Sequence, residues 1–200
     1  MTTELRFILI LMITILTSSA FAFTDRAFYG GVGYYSENFL NKVTQSANGS
    51  GSLIGETSYP LLIKYDWKMT ADWFVSPTLT YTPIPRNDPG NSAKITIWHL
   101  MLPFGQNINN TWDWFVGPGL INHAVQGSGG TVSLNNGTGS AVFALPGRTS
   151  NSQEISVNFG IAETLEVHRF ALDVITEGAL SNKRAFSFMF SYAYMFSGGH

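Results

Sequence analysis

Apolar residues recur at every second position through most of this chain, in stretches of about ten residues broken by clusters of Gly, Asn, Pro and Ser. The last stretch, 185–196, is the most regular: Phe186, Phe188, Phe190, Tyr192, Tyr194 and Phe196 fall on one side, and Ser187, Met189, Ser191, Ala193 and Met195 on the other. Residues 27–35, 59–65, 96–104, 155–161 and 170–176 alternate in the same way. In 96–104, for example, Trp98, Leu100, Leu102 and Phe104 oppose His99, Met101 and Pro103. A period of two predicts half-buried β-strands, and no helical period competes with it. The apolar side is bulky and aromatic while the other is small or polar, as expected of strands that show one face to lipid and the other to a filled interior.

Two further strands carry an internal repeat. Asp72-Trp73-Phe74-Val75-Ser76-Pro77-Thr78-Leu79 matches Asp113-Trp114-Phe115-Val116-Gly117-Pro118-Gly119-Leu120 at a spacing of 41 residues. The recurrence predicts two hairpin units that re-enter from the same side. Trp73, Val75, Leu79 and Tyr81 are expected to face lipid in one unit, and Trp112, Trp114, Val116 and Leu120 in the other. Trp73, Trp112 and Trp114, with Tyr194 and Phe196 of the last strand, are then expected at the membrane interface, where aromatic belts lie. Pro77 and Pro118 conflict with an unbroken ladder and are expected to mark β-bulges.

The N-terminus fixes the expected compartment. Residues 7–16 (FILILMITIL) are an apolar run of ten preceded by Arg6 and followed by Ala20-Phe21-Ala22. A bilayer-spanning helix needs about 20 apolar residues, so the pattern predicts a secretory signal peptide over 1–22 and a mature domain over 23–200. The chain has no cysteine, which excludes a disulfide scaffold and a lipidated N-terminal Cys. Charged residues make up 12% of the chain and aromatics 14%, and that charged share is about half the usual one for a soluble domain. A formal net charge of −2 without a basic patch argues against nucleic acid as a partner. No remaining stretch approaches a transmembrane helix, so a mature chain in a membrane has to be a closed barrel, because only closure satisfies every backbone group.

Connection lengths agree with this. Short links near 67–70, 106–110 and 167–169 alternate with long ones at 36–52, 83–93 and 122–152, and a brief outer link lies at 181–184. Short periplasmic turns and long extracellular loops, with both termini on the short-turn side, are the asymmetry of outer-membrane barrels. In the longest loop, 131–134 and 140–145 flank Asn135-Asn136-Gly137-Thr138-Gly139, a hairpin signal.

These features together resemble the small eight-stranded outer-membrane proteins of the OmpA, OmpX and OmpW kind, as architecture across the whole mature chain and with no family-specific motif. The ending Ser191-Tyr192-Ala193-Tyr194-Met195-Phe196 is similar to the C-terminal signal read by the barrel-assembly machinery, although Ser191 stands where glycine is common and four residues follow Phe196. The resemblance implies an all-β fold, an eight-stranded antiparallel up-and-down transmembrane barrel, in the outer membrane of a Gram-negative bacterium after Sec-type export. It implies outer-membrane lipid and lipopolysaccharide as surroundings. A soluble lipocalin-like barrel is the alternative fold.

About eight strands leave an interior just wide enough to be filled by side chains. Lys64, His99, Asn158, Asp173 and Glu177 are the polar candidates for that interior, expected to hydrogen-bond one another and plug it. An acyl-transferring or hydrolysing enzyme needs a Ser within reach of a His that a third group orients. None of His99, His123, His168 and His200 lies in a His-x-Ser arrangement; His200 is in the terminal tail, and His123 near Ser128 is the loop pairing worth naming. No two histidines have metal-ligand spacing, so neither a metal nor a cofactor is expected. The glycines of 127–130 lack the Lys-Ser/Thr of a phosphate loop. Three functions remain: a structural or surface-interaction barrel acting through loop 122–152, a passage or binding protein for small hydrophobic molecules, and a lipid-modifying enzyme.

Overall fold

The computed structural model describes residues 25–37, 57–87, 93–127, 129–135, 140–144, 146–181 and 184–198. The expected signal peptide and its cleavage site lie outside the described residues, as does Ser128. No helix among the described residues is long and apolar enough to cross a membrane, which leaves crossing by strands untouched.

Alternation becomes strand, and the strands close on themselves. β1 (Asp25–Ser36) is followed by a stave made of β2 (Thr57–Ser58) and β3 (Leu61–Lys68), then by one made of β4 (Trp73–Val75) and β5 (Thr78–Tyr81). After the short β6 (Arg86–Asn87), the next stave is β7 (Ala93–Met101) with β8 (Phe104–Asn107), and then comes β9 (Trp112–Gly127). A separate hairpin of β10 (Thr131–Asn135) and β11 (Ser140–Ala144) precedes β12 (Thr149–Leu165), β13 (His168–Glu177) and β14 (Ala185–Gly198). Each stave pairs antiparallel with its sequence neighbours, and β1 pairs with both β3 and β14, which completes a ring of eight staves.

The prolines break hydrogen bonds without shifting the register, so the bulges expected at Pro77 and Pro118 are not present. Lys64↔Thr78 and Trp67↔Val75 belong to one uninterrupted alignment across Pro77, as do Met101↔Gly119 and Phe104↔Val116 across Pro118. A proline lacks the N–H but keeps its carbonyl. Each in-stave proline carbonyl accepts from the adjoining stave: Pro60 from Gly33 N at 2.8 Å, Pro77 from Tyr65 N at 3.0 Å, Pro103 from Ser76 N at 2.9 Å, and Pro118 from Leu102 N at 2.9 Å. The Ser76 carbonyl, which faces Pro103, accepts instead from the Thr78 hydroxyl at 3.0 Å. The register shift that does occur lies at the closing seam, between Phe28 and Tyr29, where Phe196 of β14 is the extra residue.

The two faces separate as the alternation requires. Phe186, Phe190, Tyr194 and Phe196 are exposed while Ser187, Met189, Ser191 and Ala193 are buried; Val157, Phe159 and Ile161 oppose Ser156 and Asn158 in the same way. The outward belt continues through Leu61, Ile63, Leu79, Leu172 and Val174. Exposed apolar surface on this scale, encircling a closed sheet, marks contact with lipid. Leu102, on the outward side of 96–104, is only 7% exposed, and two outward positions of the repeat also differ from expectation: Val75 is 1% exposed and Leu120 9%. The latter two lie between bulky register neighbours, Val75 between Trp67 and Phe104 and Leu120 between Leu100 and Ile155, which cover them on the same face.

The 122–152 segment is largely strand rather than loop. β9 and β12 stay paired up to Gln126↔Thr149, whereas the β12–β13 ladder ends at Val157↔Thr176. The β9–β12 ribbon therefore rises above its neighbour, and the β10–β11 hairpin crowns it.

Candidate functional site

Among the described residues, charged side chains are gathered and sheltered in the barrel interior. Lys64, His99, Asn158, Asp173 and Glu177 all point inward and are buried. They do not form a single chain of contacts. They fall into layers along the barrel axis, joined to partners that sequence spacing does not reveal.

Nearest the short turns, Arg169 of β13 donates from Nη1 and Nη2 to the two carboxylate oxygens of Asp113 in β9, each at 2.7 Å, and Nη1 also reaches the Thr164 hydroxyl at 2.9 Å. The guanidinium lies 6.0 Å from the Tyr29 ring. In the same region Lys64 pairs with Asp66 at 3.4 Å and stands 5.2 Å from the Phe115 ring, while the Ser76 hydroxyl donates to Asp66. Phe74, Phe115, Ala162 and Ala171 pack beside these charges. Inward glycines make room for the rings: a Cβ at Gly160 would stand 2.4 Å from Phe115, and one at Gly105 2.2 Å from Phe74.

Midway up, the Asn158 amide donates to Asp173 at 3.3 Å, and His99 Nε2 lies 2.7 Å from the Ser156 hydroxyl. Alongside them and above, Tyr35, Ile97, Met101, Ile121, Ile175 and Met189 form an apolar layer. The void left between these levels, lined by Lys64, Met101, Phe115, Asn158, Asp173 and Met189 among others, measures about 30 Å³. That volume holds a water or two and no solute. Below the Arg169 layer a cavity of about 530 Å³, lined in part by Arg26, Asp66, Asp72, Asn110, Asp113 and Glu166, occupies the short-turn end.

At the opposite mouth a third group assembles. His123 Nε2 is 2.7 Å from Glu37 Oε1 and 3.7 Å from Glu177 Oε2. The hydroxyls of Tyr35 and Ser187 both donate to Glu177 Oε1. Among the sequence candidates, Glu177 belongs to this mouth cluster, His99, Asn158 and Asp173 to the middle, and Lys64 to the lower layer.

The histidines divide by environment. His99 and Ser156 have the spacing of a catalytic dyad, a pairing the sequence does not suggest, since 57 residues separate them. Both are sealed, His99 being 2% exposed and Ser156 not exposed at all, and no carboxylate hydrogen-bonds His99 among the described residues. Gly119 permits the approach, because a Cβ there would come within 2.6 Å of the Ser156 hydroxyl and 2.7 Å of His99 Nε2. His168 is on the outer face, with Nδ1 2.9 Å from the Tyr192 hydroxyl and its ring stacked on that tyrosine.

The aromatics expected at the interface all lie at the short-turn end. Trp73 and Trp112 are exposed at the starts of β4 and β9, and Trp114 meets Trp73 edge-on with ring centroids 6.2 Å apart. Tyr194 and Phe196 are exposed near the end of β14, 5.4 Å apart.

Neither a protein-family model nor a curated protein sequence matches the chain. Solved structures do. Ail, the attachment invasion locus protein of Yersinia pestis, determined in complex with the heparin analogue sucrose octasulfate, is 10% identical, aligned over 86% of this chain and 98% of its own, with a TM-score of 0.53. Neisserial surface protein A is 10% identical over 84% of this chain and 97% of its own, at 0.44. OprG from Pseudomonas aeruginosa is 13% identical over 87% and 93%, at 0.42. With its closed ring, lipid-facing belt and the likeness to Ail, the chain has the fold of a small eight-stranded outer-membrane β-barrel.

Proposed function

We propose that the protein is a surface-interaction barrel: the staves anchor it in the outer membrane, and the extracellular rim, chiefly the β9–β12 ribbon and the β10–β11 hairpin, meets the partner. The observation that carries this reading is the contrast between the two parts. Three polar layers and an apolar one fill the middle of the lumen, where the void between them is about 30 Å³, too small for a solute, and the cavity of about 530 Å³ stays at the short-turn end. The rim, by contrast, extends strands beyond what crossing the membrane requires, at an ordering cost that insertion does not recover.

The alternatives lack comparable support. Passage of small hydrophobic molecules needs a dry lumen or an opening, and the lumen is crossed by buried ion pairs. Acyl chemistry needs a serine that a lipid can reach, and Ser156 is sealed. Lipopolysaccharide around the belt and the barrel-assembly machinery during insertion are the remaining partners of this reading.

Sulfated polysaccharide is the natural first probe, because the structural relative Ail was solved with a heparin analogue. Exposed Lys94 and Arg148 lie on the rim side of this chain. The test replaces residues 126–147 with a short Gly-Ser link and compares adhesion to heparin-coated and matrix-coated surfaces. Retained heat-modifiable migration with lost adhesion supports the reading. Unchanged adhesion by the shortened barrel refutes it.

A further inference from the structure

We infer that Glu37, His123 and Glu177 form a binding site for a first-row transition dication of the Zn²⁺ class at the extracellular mouth of the lumen. The inference is independent of the rim's partner.

One donor atom from each of the three residues can be chosen such that all lie within 4.8 Å of one another. Donors held at about 2.0–2.2 Å around one ion stand about 3–3.5 Å apart, and the observed separations of 2.7 and 3.7 Å from His123 Nε2 bracket that range. A small adjustment of the carboxylates centres an ion between them. The three residues come from separate parts of the fold: Glu37 follows β1, His123 is in the upper part of β9, and Glu177 is the last residue of β13. The upper parts of three separate staves thus hold the donors, at the end of the lumen towards the outer loops.

The surroundings match those of a ligand set. Metal-binding carboxylates are characteristically oriented by hydrogen bonds from outside the site. Tyr35 and Ser187 both donate to Glu177 Oε1, which turns the other oxygen, Oε2, towards His123. Charge points the same way. The side chains of Glu37 and Glu177 are 7% exposed, that of His123 is 18%, and Glu37 acts repulsively on Glu177. A dication held between the two carboxylates offsets both charges, which lessens the cost of burying them. An imidazole with two carboxylates selects the zinc class over calcium, which takes six to eight oxygens, and over magnesium, which demands an octahedron of oxygens. Three protein ligands leave a coordination position open to water at the mouth.

The test uses the full mature barrel, untagged, refolded in detergent and stripped with chelator. Titration with Zn²⁺ should show one saturable site per chain, and Co²⁺ should give the visible absorption of a four- or five-coordinate N/O site. Glu37→Gln and His123→Asn should weaken Zn²⁺ binding roughly tenfold or more, and Tyr35→Phe, which removes only the orienting hydroxyl, by roughly tenfold. His168→Asn should leave it unchanged. Heat-modifiable migration verifies folding of each variant, and should any of them misfold, the Co²⁺ spectrum of the unmodified protein decides. No saturable Zn²⁺ binding with no Co²⁺ band, or binding indifferent to Glu37→Gln in a folded barrel, overturns the site and leaves an ion triad in its place.

Discussion

Arg169 and Asp113 meet through two parallel hydrogen bonds of 2.7 Å, joining β13 to β9 across the interior although their staves are not neighbours in the ring. The pair acts as a strut over which the lower lumen is built, with Tyr29 on one side and Thr164 on the other. Removing one partner strands the other charge in a buried site, which costs about 3–5 kcal/mol. Asp113→Ala should therefore lower the urea midpoint of the barrel in detergent micelles by a corresponding amount. The double variant Asp113→Leu with Arg169→Met, which leaves no charge stranded, should lose clearly less. Equal losses in the single and double variants would show that shape, not charge pairing, governs this layer.

A second expectation concerns the proline band. Pro103 lies opposite Gly117, and a Cβ at Gly117 would come within 2.3 Å of the Leu102 carbonyl oxygen and 2.4 Å of Pro103 Cα. Both are backbone atoms within a paired ladder and cannot step aside. Gly117→Ala should abolish heat-modifiable migration or reduce its yield severely. Gly147→Ala, whose added carbon meets nothing within 4 Å, should migrate as the unmodified protein does. A well-folded Gly117→Ala barrel would mean that the two staves are further apart than described.

Planar-bilayer recording tests the filled lumen. With a mid-lumen void of about 30 Å³, the barrel should show no steady porin-sized conductance. Truncating Phe115 and Lys64 together to alanine removes the ring and the ammonium that line this void, and should add brief, small openings at most, because the apolar layer above remains. Large stable openings in the unmodified protein would refute the plugged lumen.

The fold was legible because lipid and a filled lumen impose opposite demands on adjacent residues, and Phe186 to Phe196 record those demands without interruption. The short turns were legible too, since few residues separate strands such as β12 and β13. What escaped the sequence is what depends on register between distant staves. Val75 and Leu120 have outward parity and are covered all the same, because Trp67, Phe104, Leu100 and Ile155 lie opposite them. The in-stave prolines read as bulges because a proline is a missing donor; their carbonyls still accept, and the register runs through. Lys64, His99, Asn158, Asp173 and Glu177 could be assigned to the inner face by parity, but not Arg169 with Asp113, His99 with Ser156, or Glu37 with His123 and Glu177. Those meet only after the ring closes, over separations of 56, 57 and 86 residues for the first three pairs, and no local motif announces them.

The last expectation separates a lipid-facing belt from an apolar surface that water merely tolerates. Leu172 and Phe190 are opposite each other on β13 and β14, exposed by 44% and 49%, well inside both strands. Phe196, 65% exposed, is near the end of β14 at the short-turn side. If lipid surrounds the belt, an arginine at mid-depth has to be desolvated or draw water and headgroups inward, at about 2–4 kcal/mol, and one near the interface costs about 0–1 kcal/mol. Leu172→Arg and Phe190→Arg should each reduce unfolding free energy in phosphatidylcholine vesicles by the larger amount, and Phe196→Arg by the smaller. On a barrel bathed in water the same changes would replace exposed apolar surface with charge, and stability would be level across the three positions. A depth-independent result in vesicles would therefore remove the membrane from the account of this belt, however well the strands alternate.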